Sequence, residues 1–131
     1  MINVKKYEPI TEKIIGSAFE VHKHLGNGFQ EVIYQRAMEI EMAGKNLSFK
    51  RDYEAPVFYK GNGVGLRRVY FLVEENILVE LKAITEINEI HFAQVINYLE
   101  AFQLEIALLI NFGEKSLRMK RFLNSRISLV K

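Results

Sequence analysis

Ile77-Leu78-Val79-Glu80-Leu81-Lys82 is a short apolar run that closes on an acid and a base. Its length and composition read as a buried strand. From Asn88 to Phe102 the spacing turns helical, with Phe92, Val95, Ile96, Leu99 and Phe102 on the inward side. Glu105 to Phe112 follows, apolar without a break from Ile106 to Ile110, as a central strand is. A strand, a helix and a strand in that order imply a right-handed crossover, so the two strands lie parallel in one sheet.

Upstream of Ile77 the period is two. Tyr53 to Tyr59 and Val64 to Val73 read as strands joined by the turn Lys60-Gly61-Asn62-Gly63. Glu74-Glu75-Asn76 then turns the chain into the third strand, which makes an antiparallel meander. Two helices precede it. One runs from Thr11, a candidate cap, to Leu25, with Ile14, Ile15, Ala18, Phe19, His22 and Leu25 at helical spacing. The other runs from Gln30 to Ala43, with Ile33, Ala37 and Ile40 on one stripe and Gly44 as its stop. Leu117 to Leu123 can form a last strand. The expected fold is α/β, a mixed β-sheet flanked by helices in the order α-α-β-β-β-α-β, as one domain over residues 1–131.

Composition excludes several classes. Hydrophobic residues make up 49% of the 131 residues and charged residues 26%, ordinary for a soluble globular chain. There is no cysteine, which excludes disulfides and thiolate metal sites and suits a reducing cytoplasm. No apolar stretch reaches the ~18 residues of a membrane span. Met1-Ile2-Asn3-Val4-Lys5-Lys6 has no apolar core, so no signal peptide is expected. The net charge of +2 argues no partner by itself. The basic residues Lys115, Arg118, Lys120, Arg121, Arg126 and Lys131 do cluster near the C-terminus, as a phosphate-facing edge or a solvated face.

Chemistry concentrates at a few positions. On a strand Glu80 and Lys82 point the same way, and such a pair is costly to bury without a use. One use is a carboxylate that holds a divalent cation beside a lysine that orients water or steadies charge on a phosphate. A strand-end ion pair is the plainer alternative. Glu31 shares a helix face with Tyr34 and either reaches that cation site or favours the helix dipole. Gln94, Asn97 and Tyr98 form a polar strip that meets phosphates, meets the Glu80/Lys82 pair or faces solvent. His22 fits a core hydrogen-bonder better than a ligand. Arg67-Arg68 is a phosphate contact or an exposed strand end.

Together these residues resemble the GxxExxY proteins, a branch of the PD-(D/E)XK nuclease superfamily, from about Ile14 to Arg121. The name motif is Gly28, Glu31 and Tyr34, preceded by Val21-His22-Lys23-His24-Leu25-Gly26. Val79-Glu80-Leu81-Lys82-Ala83, Ala93-Gln94-Val95-Ile96-Asn97-Tyr98-Leu99 and Leu108-Leu109-Ile110-Asn111-Phe112-Gly113 follow in the same order. The pair Gln94 and Tyr98 also resembles an element of RecB-type nucleases. The resemblance implies a restriction-endonuclease-like core and phosphodiester hydrolysis dependent on Mg²⁺ or Mn²⁺. Glu31 and Glu80 would be the metal carboxylates, Lys82 the catalytic lysine, and Gln94 and Tyr98 its helix support. The partner would be nucleic acid, DNA before RNA, bound with help from Arg67, Arg68, Lys120 and Arg121. A homodimer would be needed to cut both strands.

One position departs from the pattern. The family carries an aspartate on the second strand, four residues before the acid that ends it. Here the text is Arg68-Val69-Tyr70-Phe71-Leu72-Val73-Glu74, with Tyr70 in that place. Magnesium seeks hard anionic oxygens, and a phenol with a pKa near 10 is neutral at pH 7. Glu74 lies about 13 Å farther along the strand, too far to share an ion. Asp52 and Glu54 sit on the neighbouring strand at a register the text does not fix. Hydrolysis is therefore expected to be weakened or lost. The alternative is a non-catalytic nucleic-acid-binding or protein-interaction module on the same fold.

Overall fold

The protein's structure, a computed structural model, describes residues 2–125. A one-turn 3-10 helix, Val4–Tyr7, leads into α1 (Glu8–Leu25) and α2 (Glu31–Gly44). Then come β1 (Phe49–Tyr59), β2 (Asn62–Val73) and β3 (Ile77–Lys82), the crossover helix α3 (Glu89–Phe102), β4 (Ile106–Asn111) and β5 (Arg118–Leu123). The strands form one five-stranded sheet in chain order. β3 and β4 are parallel, in register from Ile77↔Ile106 to Lys82↔Asn111, and the other neighbours are antiparallel.

Helices cover both faces of the middle strands, which is why β3 and β4 are apolar on both sides. On one face Ile14, Ala18 and Val21 of α1 and Tyr34, Met38 and Met42 of α2 pack on Phe71, Val79 and Leu108. On the other, Val95 and Leu99 of α3 pack on Leu72, Leu78 and Leu109. The parallel pairing of β3 with β4 across α3 and the fifth strand both stand as expected.

Details differ in instructive ways. α1 starts at Glu8, with Pro9 in its first turn. Thr11 is not the cap but lies inside the helix, its hydroxyl donating to the Glu8 carbonyl at 3.2 Å. Phe19 faces solvent while Val21 turns inward. In α2 the inward stripe is Tyr34, Met38 and Met42, and Ile40 is 72% exposed. A one-residue shift in a helical stripe rotates it by about 100°, and the long methionines reach the sheet where a branched residue would not. On α3, Ile96 is likewise exposed. β1 begins at Phe49, not Tyr53, with Phe49 packed edge-on to Phe71 at 5.4 Å. Asp52 hides that extension, because its φ of 50° interrupts the strand's alternation.

β2 pairs with β3 only over Phe71–Val73. Its earlier residues continue with β1 alone, from Tyr53↔Val69 to Tyr59↔Asn62, as a two-stranded ribbon that leaves the core after the buried Val69. Phe58, Tyr59, Val64 and Leu66 are exposed along it.

The far end of β3 is tied down by Asn111, which is fully buried. Asn111 Oδ1 accepts from the Ile84 and Gly113 N–H groups, each at 3.1 Å. Its Nδ2 donates to the Ile84 carbonyl at 2.9 Å and to Glu114 at 2.8 Å. A Cβ on Gly113 would lie 2.3 Å from Ile84 backbone atoms, so the two loops touch main chain to main chain. Asn111→Ala would leave several buried groups unpaired at about 1–3 kcal/mol each. A loss of roughly 3 kcal/mol or more is expected in urea unfolding, and an unmoved midpoint would show that the network does not close this end of β3.

Candidate active site

β2 and β3 separate at Tyr70 and Glu80, each one residue beyond the last paired position, Phe71↔Val79. The Tyr70 N–H still reaches Glu80 Oε1 at 3.3 Å. The fork holds a cavity of about 350 Å³. Glu31 and Gln35 enter it from α2, Asp52 from β1, Arg68 and Tyr70 from β2, and Glu80 and Lys82 from β3.

Glu31 stands in the first turn of α2, and the loop before it is anchored by Tyr34. The Tyr34 hydroxyl donates to the Gly26 carbonyl at 2.6 Å and accepts from the Phe29 N–H at 3.2 Å. Its ring stacks on Phe112 at 4.6 Å. Gly26 itself has φ 73° and ψ −155°, which side-chain-bearing residues avoid. Tyr34 thus aims Glu31 from the core rather than lining the cavity.

The electrostatics follow from burial. Glu80 is only 6% exposed. Burial pushes its carboxyl up to about 7, against the pull of the Tyr70 N–H and the Lys82 ammonium, and the charge of Glu31 adds to the rise. The Tyr70 hydroxyl donates to Glu31 Oε1. Burial first, then that bond and the charges of Glu31, Glu80 and Asp52, raise the phenol well above its ordinary value, so it stays a donor. Burial and the charge of Glu80 also raise Tyr98, opposed by Arg67.

Of the residues singled out in the sequence, Glu31, Arg68, Tyr70, Glu80 and Lys82 meet at this cavity. Gln94 is exposed on α3 and does not line it. Tyr98 is coupled to Glu80 by charge, and its ring lies 6.0 Å from the Arg67 guanidinium. Neighbouring strand residues point oppositely, so Arg68 serves the cavity while Arg67 faces a second cleft, shared with Phe58 and Asn97. Lys120 and Arg121 lie on β5, at the far edge of the sheet. Lys120 sits 5.2 Å from the Phe92 ring centre, and Arg121 lines a separate hollow beside α1. Arg126 and Lys131 fall outside the described residues. His22 is structural: its Nε2 donates to the Glu114 carbonyl at 2.9 Å. Sequence reasoning missed Gln35. Its spacing of one helical turn from Glu31 was the available signal.

The donors suit a hard divalent cation in kind, since the carboxylates of Glu31, Asp52 and Glu80 open on one cavity. They are not gathered: among the described residues no three acidic or histidine side chains stand at ligating distance. The Tyr70 hydroxyl holds Glu31, and Gln35 Nε2 donates to Asp52 Oδ1 at 3.2 Å. The Tyr70 hydroxyl would compete with a cation for Glu31 Oε1.

The sequence pattern of the PD-(D/E)XK nuclease superfamily matches residues 8–122. The crystal structure of SSO0001 aligns with a TM-score of 0.55 at 18% identity, over 90% of this chain and 59% of that one. That likeness is one of fold, and this chain spans under two thirds of SSO0001. No curated protein matches the chain. Among the described residues no helix is long and apolar enough to cross a membrane.

Proposed function

Because the chain belongs to the PD-(D/E)XK nuclease superfamily, we propose that it hydrolyses nucleic-acid phosphodiesters with Mg²⁺ or Mn²⁺ at a weakened centre. Glu31 and Glu80 are the metal carboxylates. The observation that carries this is the meeting of Glu31, Glu80 and Lys82 in one cavity, from a helix and a strand far apart in sequence. When bound, the cation supplies Lewis acidity to the phosphate and lowers the pKa of the attacking water. Lys82 sets an ammonium beside the scissile phosphate, where it offsets charge developing on the oxygens. Arg68 holds a phosphate at the cavity wall. Tyr98 packs beneath Arg67 and steadies that side of the ribbon, and Gln94 acts in support from α3. Lys120 and Arg121 belong to a more distant phosphate contact along β5. DNA is the favoured substrate, two copies would act where both strands are cut, and the setting is cytoplasmic. Gly28, Glu31 and Tyr34 support a place among the GxxExxY proteins.

Slow cleavage of labelled DNA is expected in Mn²⁺ and none in EDTA. Glu80→Ala and Lys82→Ala should each lower the rate about 100-fold or more, with folding checked by circular dichroism. Equal rates in all three proteins would sink the assignment.

A second reading has its own support in the hydrogen bond from Tyr70 to Glu31. A carboxylate occupied by a neutral donor suits a non-catalytic nucleic-acid-binding or protein-interaction module. Steeply salt-dependent DNA binding that ignores divalent ions would favour it.

A further inference from the structure

Beyond the fork, β2 has β1 on one side and, among the described residues, no strand on the other. The ribbon and the last turn of α3 enclose a cleft of about 430 Å³. Val57, Phe58 and Arg67 stand on the ribbon wall, and Asn97, Glu100 and Gln103 on the α3 wall. Phe58 is 63% exposed, so the fold itself uses little of its ring.

Two glycines keep the ribbon wall flat. Gly65 pairs with Val57, and Gly63 with Phe58. Neither has a positive φ. Among the described residues a Cβ on Gly65 would meet nothing within 4 Å. Glycine weakens a strand, and here neither backbone conformation nor crowding inside the chain calls for it. Close approach by another molecule does.

Charge selects the visitor. From Ala55 to Arg68 the ribbon carries Lys60, Arg67 and Arg68 and no acid, which suits a polyanion. Inside the cleft the sign reverses, because Glu100 and the carbonyl end of α3 disfavour a phosphate there. They suit the N–H groups on the edge of a neutral base, an edge that Asn97 and Gln103 can also pair. Phe58 offers its ring to the face of that base. Arg67 and Arg68 are neighbours on opposite faces of the ribbon. A strand with its base in the cleft therefore has cations on its path across β2 to the fork.

We infer that the cleft between the ribbon and α3 receives an unpaired base of a single-stranded nucleic acid, whose backbone crosses the free edge of β2 at Arg67 and Arg68 into the cavity at the fork. This rests on the nucleic-acid reading above but needs no metal. A base inside a duplex would first have to leave its stack, at a cost the single strand does not meet.

Fluorescence anisotropy of a labelled DNA strand of about 12 nucleotides, titrated with the full chain in EDTA at low salt, tests it. The strand should bind about fivefold or more tighter than its duplex. Phe58→Ala should weaken binding of the strand about tenfold. Gly65→Val should weaken it as well, by filling the wall, while melting stays level or rises, since valine suits a strand. That separates lost binding from lost folding. If the strand binds but either variant binds it as the natural chain does, the inference fails and the nucleic-acid reading stands. A duplex bound more tightly than the strand also overturns it. No binding in EDTA alongside metal-dependent cleavage overturns the inference and spares the nuclease reading, whereas neither binding nor cleavage defeats both. Variants that change only self-association, read by sedimentation, would make the ribbon a contact between copies and overturn it too.

Discussion

Glu80→Gln is expected to stabilise the protein by roughly 3 kcal/mol at pH 8 and by almost nothing near pH 4. The sign follows from the buried carboxyl. In the unfolded chain Glu80 ionises at its ordinary value of 4.5, and in the fold only at about 7. The fold therefore favours the protonated form. Between those values the unfolded state has already released a proton that the folded state keeps, so stability falls as pH rises. Above about 7 the folded carboxylate is ionised too, and the loss levels off. Glutamine is never charged and escapes the loss, while its amide oxygen can still accept the Tyr70 N–H. Lys82 already pulls the carboxyl down, and Glu31, Asp52, Arg68, Tyr70 and Tyr98 are the other ionisable groups around it. Urea melts of both proteins at pH 4, 6 and 8 measure the difference. A constant gap would mean that Lys82 neutralises Glu80 in full and burial exacts nothing.

Tyr70→Asp should tighten Mn²⁺ binding at least tenfold and raise cleavage with it. Two changes act together: the hydroxyl that holds Glu31 is gone, and a carboxylate faces Glu80 across the fork. Without metal the variant should be less stable by roughly 2 kcal/mol. It loses a half-buried ring that packs against the core under α1 and α2, and it brings a fourth acid to a cavity that already holds Glu31, Asp52 and Glu80. Divalent ions should restore that stability, by about 2.7 kcal/mol at a hundred times the Kd. Calorimetric titration and melting with and without Mn²⁺ test both halves. Unchanged affinity in a folded variant would mean that Tyr70 does not stand at a ligand position.

The strand order was legible because each middle strand is an apolar block, and because a helix between two such blocks leaves one handedness. The meander was legible from Lys60-Gly61-Asn62-Gly63 and the period of two around it. Helix faces were harder. In α2 the branched Ile33 and Ile40 drew attention from Met38 and Met42, which fill the core, since composition does not say which of two adjacent stripes meets the sheet. At the site, Glu31, Glu80 and Lys82 were readable from local spacing and resemblance. The nearness of Asp52 and Gln35 was not, because it depends on strand register and on a left-handed residue inside β1. The opposite aims of Arg67 and Arg68 follow from the pleat alone, but which of them meets the cavity is decided by the fork.

The ribbon of β1 and β2 divides the chain into a part that must be kept and a part that can drift. In β3 and β4 every residue except Lys82 is buried, so an altered side chain there disturbs neighbours on both faces. At the ribbon's tip, from Phe58 to Leu66, every residue meets solvent, and a change of length or chemistry disturbs almost no packing. Descendants of this chain can therefore rewrite what the ribbon touches while the fork at its root, with Tyr70 and Glu80, stays as it is.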